Sequence, residues 1–376
     1  MNSNLRLTTT ADHKSNAFEL NLDFYSVMNT LNYSNNEWFN MLKLRSTTST
    51  LLDKDHNLRY QLLNSPLLCV VPVLSSVSDW ESLFSGDVKK LEQSFSLAPT
   101  SISDSLRTTI TYQNKTYLRY IIDTAKNSPL AMLELGVNFD VIQILRNVKV
   151  EGKNNASRFK LPLFKWRYEN LQLPSNGNAL LENDWINYLI QSTPEKLSEL
   201  PAVSELGKRY HSETAYPLAE QLVKFRMRAT IITTLIPNLH DAKVRDMYQR
   251  ILSDSSSCGK LPDSLPWYIN TERRRTHSSF YMLLYRLAYR AGLPNIHSII
   301  AAYSWYISIA SSDPLPIDRL GKLAIVVQSG SGSMFVAACR SCTANYLLCN
   351  TEDKQEFGTT FHCEPCRRKK THSLAA

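Results

Sequence analysis

The sequence predicts a mainly α-helical protein. The expectation is a helical bundle with a helix-turn-helix-like pair, closed by a C-terminal four-cysteine module and preceded by a mixed α/β N-terminal part. Three observations lead there. Apolar residues recur at Leu218, Leu222, Phe225, Ala229, Ile232 and Ile236, a four-three-four spacing that lines one stripe of a helix. Two Cys-x-x-Cys knuckles, Cys339/Cys342 and Cys363/Cys366, stand twenty residues apart, and four cations, Arg367 to Lys370, follow the second. Before residue 121, in contrast, Pro66–Leu74 and Thr108–Tyr120 read as short strands.

The knuckles carry the strongest chemical signal. Four thiolates at this spacing can occupy the corners of a tetrahedron, which suits a d¹⁰ zinc ion. A redox or disulfide pair is the alternative, but a redox site needs only one Cys-x-x-Cys. A closed site of four thiolates leaves no position for water or substrate, so the expected zinc, one per chain, is structural. Cys349 lies between the knuckles and His362 adjoins Cys363, but neither has the knuckle spacing, and both are read as spectators.

Composition sets the boundaries. A chain of 376 residues, 43 % hydrophobic, can bury two or three cores. No apolar run is long enough to cross a bilayer, and Met1 to Lys14 lacks the apolar stretch of a secretory signal, which points to a cytoplasmic protein with no membrane partner. Seven cysteines, four of them in knuckles, fit a reducing compartment. The net charge of +8 is concentrated late: from His211 onward 20 Lys and Arg face 13 Asp and Glu, whereas 22 face 21 before it. A basic half beside a near-neutral half suggests a nucleic-acid-binding region joined to an assembly region. Eleven glycines and the absence of a Gly-rich phosphate loop or a Ser/His/Asp spacing argue against an enzyme.

Taken in order, the first fifteen or so residues are expected to be disordered. Pro66–Leu74 reads as a buried strand with Pro72 marking an edge, and Thr108–Tyr120 as a hairpin turning at Asn114-Lys115. Ala131–Asn138 followed by Val141, Ile142, Ile144 and Leu145 reads as helix, Gly turn, helix. Arg158–Arg167 interleaves cations with aromatics. An amphipathic strand is favoured over a nucleic-acid contact. Thr193-Pro194-Glu195 looks like a helix start, and the boundary between halves is set at Ser198–Pro217.

A helix over Leu218–Ile236 stops at Pro237, and a shorter one buries Val244, Met247, Tyr248 and Ile251 while Lys243, Arg245, Gln249 and Arg250 point elsewhere. That is the outline of a helix-turn-helix, with those four residues as candidate DNA contacts. Arg273, Arg274 and Arg275 are further candidates, and His277 is read as a structural histidine. A helix through Phe280, Leu284, Leu287 and Ala291 ends at Gly292-Leu293-Pro294, and Asn295 is the expected cap of the next. A third carries Leu320, Leu323, Ala324 and Val327. The resulting domains are 1–126 (mixed α/β), 127–210 (assembly), 211–337 (helical, DNA-binding) and 338–371 (zinc module), whose Arg340, Arg367, Arg368, Lys369 and Lys370 complete the candidate contacts.

With these residues in view, Leu218–Lys370 resembles the FlhC family, the C subunit of the bacterial flagellar master transcriptional activator. The likeness rests on Leu261-Pro-x-Ser264, Trp267, the Arg-x-His-x-Ser pattern of Arg275, His277 and Ser279, Gly292, Ala302-Tyr303-x-x-Tyr306, and the two knuckles with their basic tail. It implies a DNA-binding activator that recruits RNA polymerase, with Cys339, Cys342, Cys363 and Cys366 as zinc ligands. It also implies assembly with a small helical FlhD partner. About 210 extra residues precede this region, and within residues 128–168 the stretch Leu130–Asn138 is similar to part of FlhD, so the N-terminal half is expected to be a fused, remodelled FlhD-like region or to support a homo-oligomer. The competing reading is a zinc-stabilised RNA- or protein-binding module without transcriptional activity.

Overall fold

A computed structural model describes residues 5–374 apart from 92–93, 175–179, 195–209, 258–263, 311 and 331. Glu195 of the expected helix start Thr193-Pro194-Glu195, most of the expected boundary at Ser198–Pro217 and Leu261 to Asp263 of the Leu261-Pro-x-Ser264 motif lie outside the described residues. The chain divides into two compact units, one formed by Asn2–Leu181 with Thr193–Glu195, the other by Glu182–Ser192 with Lys196–Ala376.

The first unit holds α1 (Ala11–Ser34), α2 (Trp38–Leu42), α3 (Ser46–Lys54), α4 (His56–Leu63), α5 (Val77–Ser85), α6 (Asp104–Asn127), α7 (Ala131–Leu135), α8 (Phe139–Asn147) and α9 (Val150–Ser157). Among its described residues a two-stranded sheet pairs β1 (Val70–Pro72) antiparallel with β2 (Phe164–Trp166), Pro72 opposite Phe164. The disorder expected of the first fifteen or so residues does not hold from Ala11, where α1 begins with the Thr10 side chain accepting the His13 N–H as its cap. Asn21 then fixes β1 to α1, donating to Leu63 and Leu67 carbonyls and accepting the Cys69 N–H at 2.6 Å. Phe24, Tyr117 and Phe164 meet around this junction with ring centroids 4.9–5.7 Å apart.

The expected hairpin at Thr108–Tyr120 is instead the middle of α6. Its buried residues Ile110, Asn114, Tyr117, Ile121 and Ala125 keep helical spacing, and Ser103 caps the start by accepting the Leu106 N–H. The threonines that imitate strand alternation bond back to carbonyls four residues earlier, Thr108 to Asp104 and Thr111 to Arg107. Asn114, the expected turn residue, is fully buried and holds Phe159, Leu161 and Leu163 by three side-chain hydrogen bonds. Helix, Gly turn, helix does appear at α7 and α8: Gly136 ends α7 at φ +65°, and Asn138 caps α8.

The second unit holds α10 (Glu182–Ser192), α11 (Ser212–Lys224), α12 (Ala229–Leu235), α13 (Asp241–Leu252), α14 (Glu272–Arg290), α15 (Asn295–Ile309), α16 (Ile317–Gln328) and α17 (Glu364–Leu374). It also contains a three-stranded antiparallel sheet, β3 (Met334–Ala338), β4 (Asn345–Thr351) and β5 (Lys354–Gln355). The expected single helix over Leu218–Ile236 is two, α11 and α12. Arg226 adopts φ +65°, its N–H bonds to the Val223 carbonyl and the Met227 N–H to Leu222, the bond pattern of a helix C-terminus. Apolar spacing continues across this break, so periodicity alone did not reveal it. α12 and α13 form the short helical pair. α14 is the central helix, buried from Thr276 to Ala288 and stopped at Gly292, φ +92°. Asn295 opens α15 without capping it, since its Oδ1 accepts the Tyr285 hydroxyl at 2.7 Å. Among the described residues no helix is long and apolar enough to cross a membrane.

Candidate metal centre and basic surface

The first knuckle is the turn between β3 and β4. Cys339 N–H bonds to the Ala344 carbonyl and Thr343 N–H to the Cys339 carbonyl, with Thr343 in the left-handed region at φ +61°. The second knuckle starts α17: Cys366 and Arg367 N–H groups both reach the Cys363 carbonyl. The Arg340 N–H donates to the Phe361 carbonyl and joins the two knuckles.

This places the ligand atoms of Cys339, Cys342, Cys363 and Cys366 all within 4.8 Å of one another, with Cys342 Sγ and Cys363 Sγ 3.6 Å apart. Four sulfurs about 2.3 Å from one ion lie about 3.8 Å from each other, so the cluster fits one tetrahedrally held metal. Backbone N–H groups already point at the sulfurs, Ser341 at 3.4 Å and Cys363 at 3.3 Å from Cys339 Sγ. Burial by itself would raise the Cys339 thiol, but the N–H groups of Cys363, Cys342 and Ser341 outweigh it and hold the thiol down to about 7. Burial pushes the Cys342 thiol up to about 11 and Cys363 higher still, the neighbouring sulfurs adding to the rise at Cys363. Four thiols crowded at such a site favour a cation that removes their protons. Cys349 is buried in β4 beside Thr351, and His362 Nδ1 is 2.9 Å from Ser341 Oγ. Neither belongs to the cluster.

The bundle braces this module at several points. Tyr346 donates to Asn187 Oδ1 on α10 at 2.9 Å, Leu347 N–H to Ser279 Oγ on α14, and Gln191 Nε2 on α10 lies 3.9 Å from Cys363 Sγ. α10 also supplies Glu182, which accepts Ser312 N–H and Oγ and stands 3.5 Å from His277 Nε2. His277 is fully buried, and its Nδ1 is 2.8 Å from the Tyr306 hydroxyl, which also accepts the Leu315 N–H. The sequence reading of His277 as structural agrees with this packing. Its carboxylate partner is 95 residues upstream, where no local spacing could reveal it.

The candidate cations have different surroundings. On α13, Lys243 Nζ contacts Tyr216 Oη at 2.9 Å, Arg245 pairs with Asp241 at 2.6 Å, Arg250 pairs with Glu220, and Gln249 is exposed. At the start of α14, Arg273 pairs with Asp313 at 3.0 Å and Arg274 stacks on Trp267. Arg275 faces inward: its guanidinium is only 15 % exposed and binds both oxygens of Glu356. Arg340, Arg367, Arg368 and Lys369 are exposed, and Arg368 pairs with Glu272 and Asp184. Lys370 belongs to α17, with its side chain outside the description. The Arg368–Glu272 pair sets the α17 cations beside the first turn of α14. In the first unit, Arg167 of the cation-aromatic run is buried, donating to carbonyls of Leu68, Leu133 and Glu134, and Phe164 and Trp166 point inward as the strand reading expects.

Residues 211–375 match the family model described as "Flagellar transcriptional activator (FlhC)". The chain is 26 % identical over 144 residues to a flagellar transcriptional regulator FlhC from Gallionella capsiferriformans, covering 37 % of this chain and 78 % of the relative. It is 26 % identical over 162 residues to another from Paraburkholderia atlantica, covering 42 % and 74 %. The matched segment contains the four-cysteine cluster, α14 and the basic tail. Residues 211–375 are thus the part of the chain that is similar to the FlhC family.

Proposed function

We propose that this protein is a DNA-binding transcriptional activator whose second unit contacts duplex DNA and whose assembly recruits RNA polymerase in the cytoplasm. The observation that carries the reading is the Arg368–Glu272 pair, which sets the basic tail of the four-cysteine module against the helix that bears Arg273 and Arg274. Cys339, Cys342, Cys363 and Cys366 would hold one zinc ion, which supplies rigidity and no open ligand position. The cations on α17 and α14, with Arg340 and those on α13, would meet phosphates, and Gln249 on exposed α13 would reach base edges. Arg275 is the exception among the candidates, since its guanidinium is only 15 % exposed and faces Glu356. No step of this mechanism calls for catalysis.

The first unit would serve as an assembly region, FlhD-like in its α7–α8 turn or joining copies of this chain. A competition titration tests the nucleic-acid class: full-length protein with labelled duplex DNA, challenged by unlabelled duplex or RNA across a salt series. Preference for duplex with affinity falling steeply in salt supports the reading. Preference for RNA, or no binding to either, favours the zinc-stabilised RNA- or protein-binding module.

A further inference from the structure

Trp267 lies under two arginines. The Arg274 guanidinium carbon is 4.3 Å from the ring centroid and that of Arg319 is 3.9 Å away. Both guanidiniums therefore lie within cation–π distance of the same indole. A guanidinium stacked on a ring directs its N–H bonds sideways, parallel to the ring and past its edge. Both arginines are thus anchored on one ring, and less side-chain freedom remains to be lost when an acceptor arrives.

The surroundings leave this pair short of negative charge. Arg274 has a neutral partner, donating to Asn270 Oδ1 at 3.0 Å. The acidic neighbour of Arg319 in sequence, Asp318, is shared with Arg228, accepting its backbone N–H at 2.6 Å and forming an ion pair with its Nε at 2.9 Å. Arg319 Nη1 is buried and has no hydrogen-bond partner among the described residues. A buried donor left unmade is unfavourable, and two like charges on one ring repel. An anion beside the stack would relieve the repulsion.

The position suits a backbone contact. Arg274 follows Arg273 on the α14 turn that the basic tail approaches through Arg368, while Arg228, tied to Asp318, leads into α12 of the short helical pair. We infer that the Arg274–Trp267–Arg319 stack is a preorganised phosphate clamp for the DNA backbone, joining the cations of α14 and α17 to the α12–α13 pair. This rests on the DNA-binding reading above and adds Trp267 and Arg319, which charge patterning does not mark out.

The test is fluorescence anisotropy of full-length protein with a random-sequence duplex over a salt series, for wild type, Arg319→Gln, Arg274→Gln and the double variant, each with a thermal melt and a zinc assay. Losing one phosphate contact lowers the slope of log affinity against log salt by about 0.9. The expected result is that drop for each single variant and about twice that for the double, with zinc content unchanged. Variants that melt earlier but keep the wild-type slope would overturn the clamp and assign the stack to packing alone. A wild type with no salt-dependent DNA binding would overturn the DNA reading and the clamp together, so the two failures are distinguishable.

Discussion

Arg275 on α14 binds Glu356 beside β5 through two charge-assisted bonds, Nη2 to Oε1 at 2.7 Å and Nη1 to Oε2 at 3.2 Å. Glu356 Oε2 also lies 3.3 Å from the Cys349 N–H on β4, so one carboxylate locks the helix to the sheet that carries the first knuckle. Both side chains are largely sheltered, 15 % and 18 % exposed. Replacing Glu356 with Gln should cost about 2 kcal/mol, because it leaves a half-buried guanidinium without its counter-charge. Chemical denaturation of the two proteins measures it, and an unchanged midpoint would show that the pair is a passive contact.

Metal removal should act on folding. Cys363→Ser deletes the sulfur that stands just before α17, and bound zinc should fall from one per chain to near zero. Protection of β3, β4 and α17 amides from hydrogen exchange should fall with it, since binding energy at a four-thiolate site is folding energy. α15, which contributes no sulfur, should retain its protection. Metal analysis of the purified wild type that found no zinc would remove the basis for this expectation.

Two buried groups should give the chain pH slopes of opposite sign. Burial, with the charge of Arg273, holds the His277 imidazole down to about 4 against an ordinary 6.5. Between these values only the unfolded state takes the proton, so the His277 contribution is complete above pH 6.5 and is lost as pH falls towards 4. Burial pushes the Glu134 carboxyl up to about 7 against 4.5, despite the Ser128 hydroxyl beside it. Here only the folded state keeps the proton in the window, so stability declines as pH rises from 4.5 to 7. Each effect is worth about 3 kcal/mol at full extent. Unfolding of His277→Gln and Glu134→Gln across pH 4–8 should abolish one slope each, and variants that keep both slopes would assign them to other groups.

Asn114 should be among the least replaceable residues of the first unit. Asn114→Ala removes three side-chain hydrogen bonds and strands the Phe159 and Leu161 carbonyls and the Leu163 N–H, for an expected loss of about 3 kcal/mol. Asn114→Asp, which keeps an acceptor for Leu163 but no donor, should also destabilise. Wild-type stability in either variant, measured by thermal unfolding, would mean that water replaces the amide at no penalty.

The parts legible in the sequence were those set by local rules. Knuckle spacing marked out the four cysteines, Gly292 marked the end of α14, and Phe164 and Trp166 lay where a strand would bury them. The misreadings arose where local and tertiary signals diverge. Thr108–Tyr120 alternates like a strand, yet Asn114 and Tyr117 gain more by lying on the buried stripe of α6. Arg226 breaks a helix whose apolar stripe continues past it, because an arginine can take the left-handed turn that glycine usually supplies. α10 was not recognisable as a brace of the metal centre, since Asn187 and Gln191 reach Tyr346 and Cys363 across some 160 to 170 residues of sequence. The Trp267 stack needs Arg319, 52 residues away, and charge counting offers no reason to choose that arginine.

On the function proposed above, a metal-organised second unit lets this chain bind particular duplex sequences. Selection from a random duplex pool by full-length protein at physiological salt, run beside Cys363→Ser, tests it most directly. The wild type should enrich one motif and the variant none. An unenriched pool from zinc-loaded wild type, or the same motif from both proteins, would contradict it.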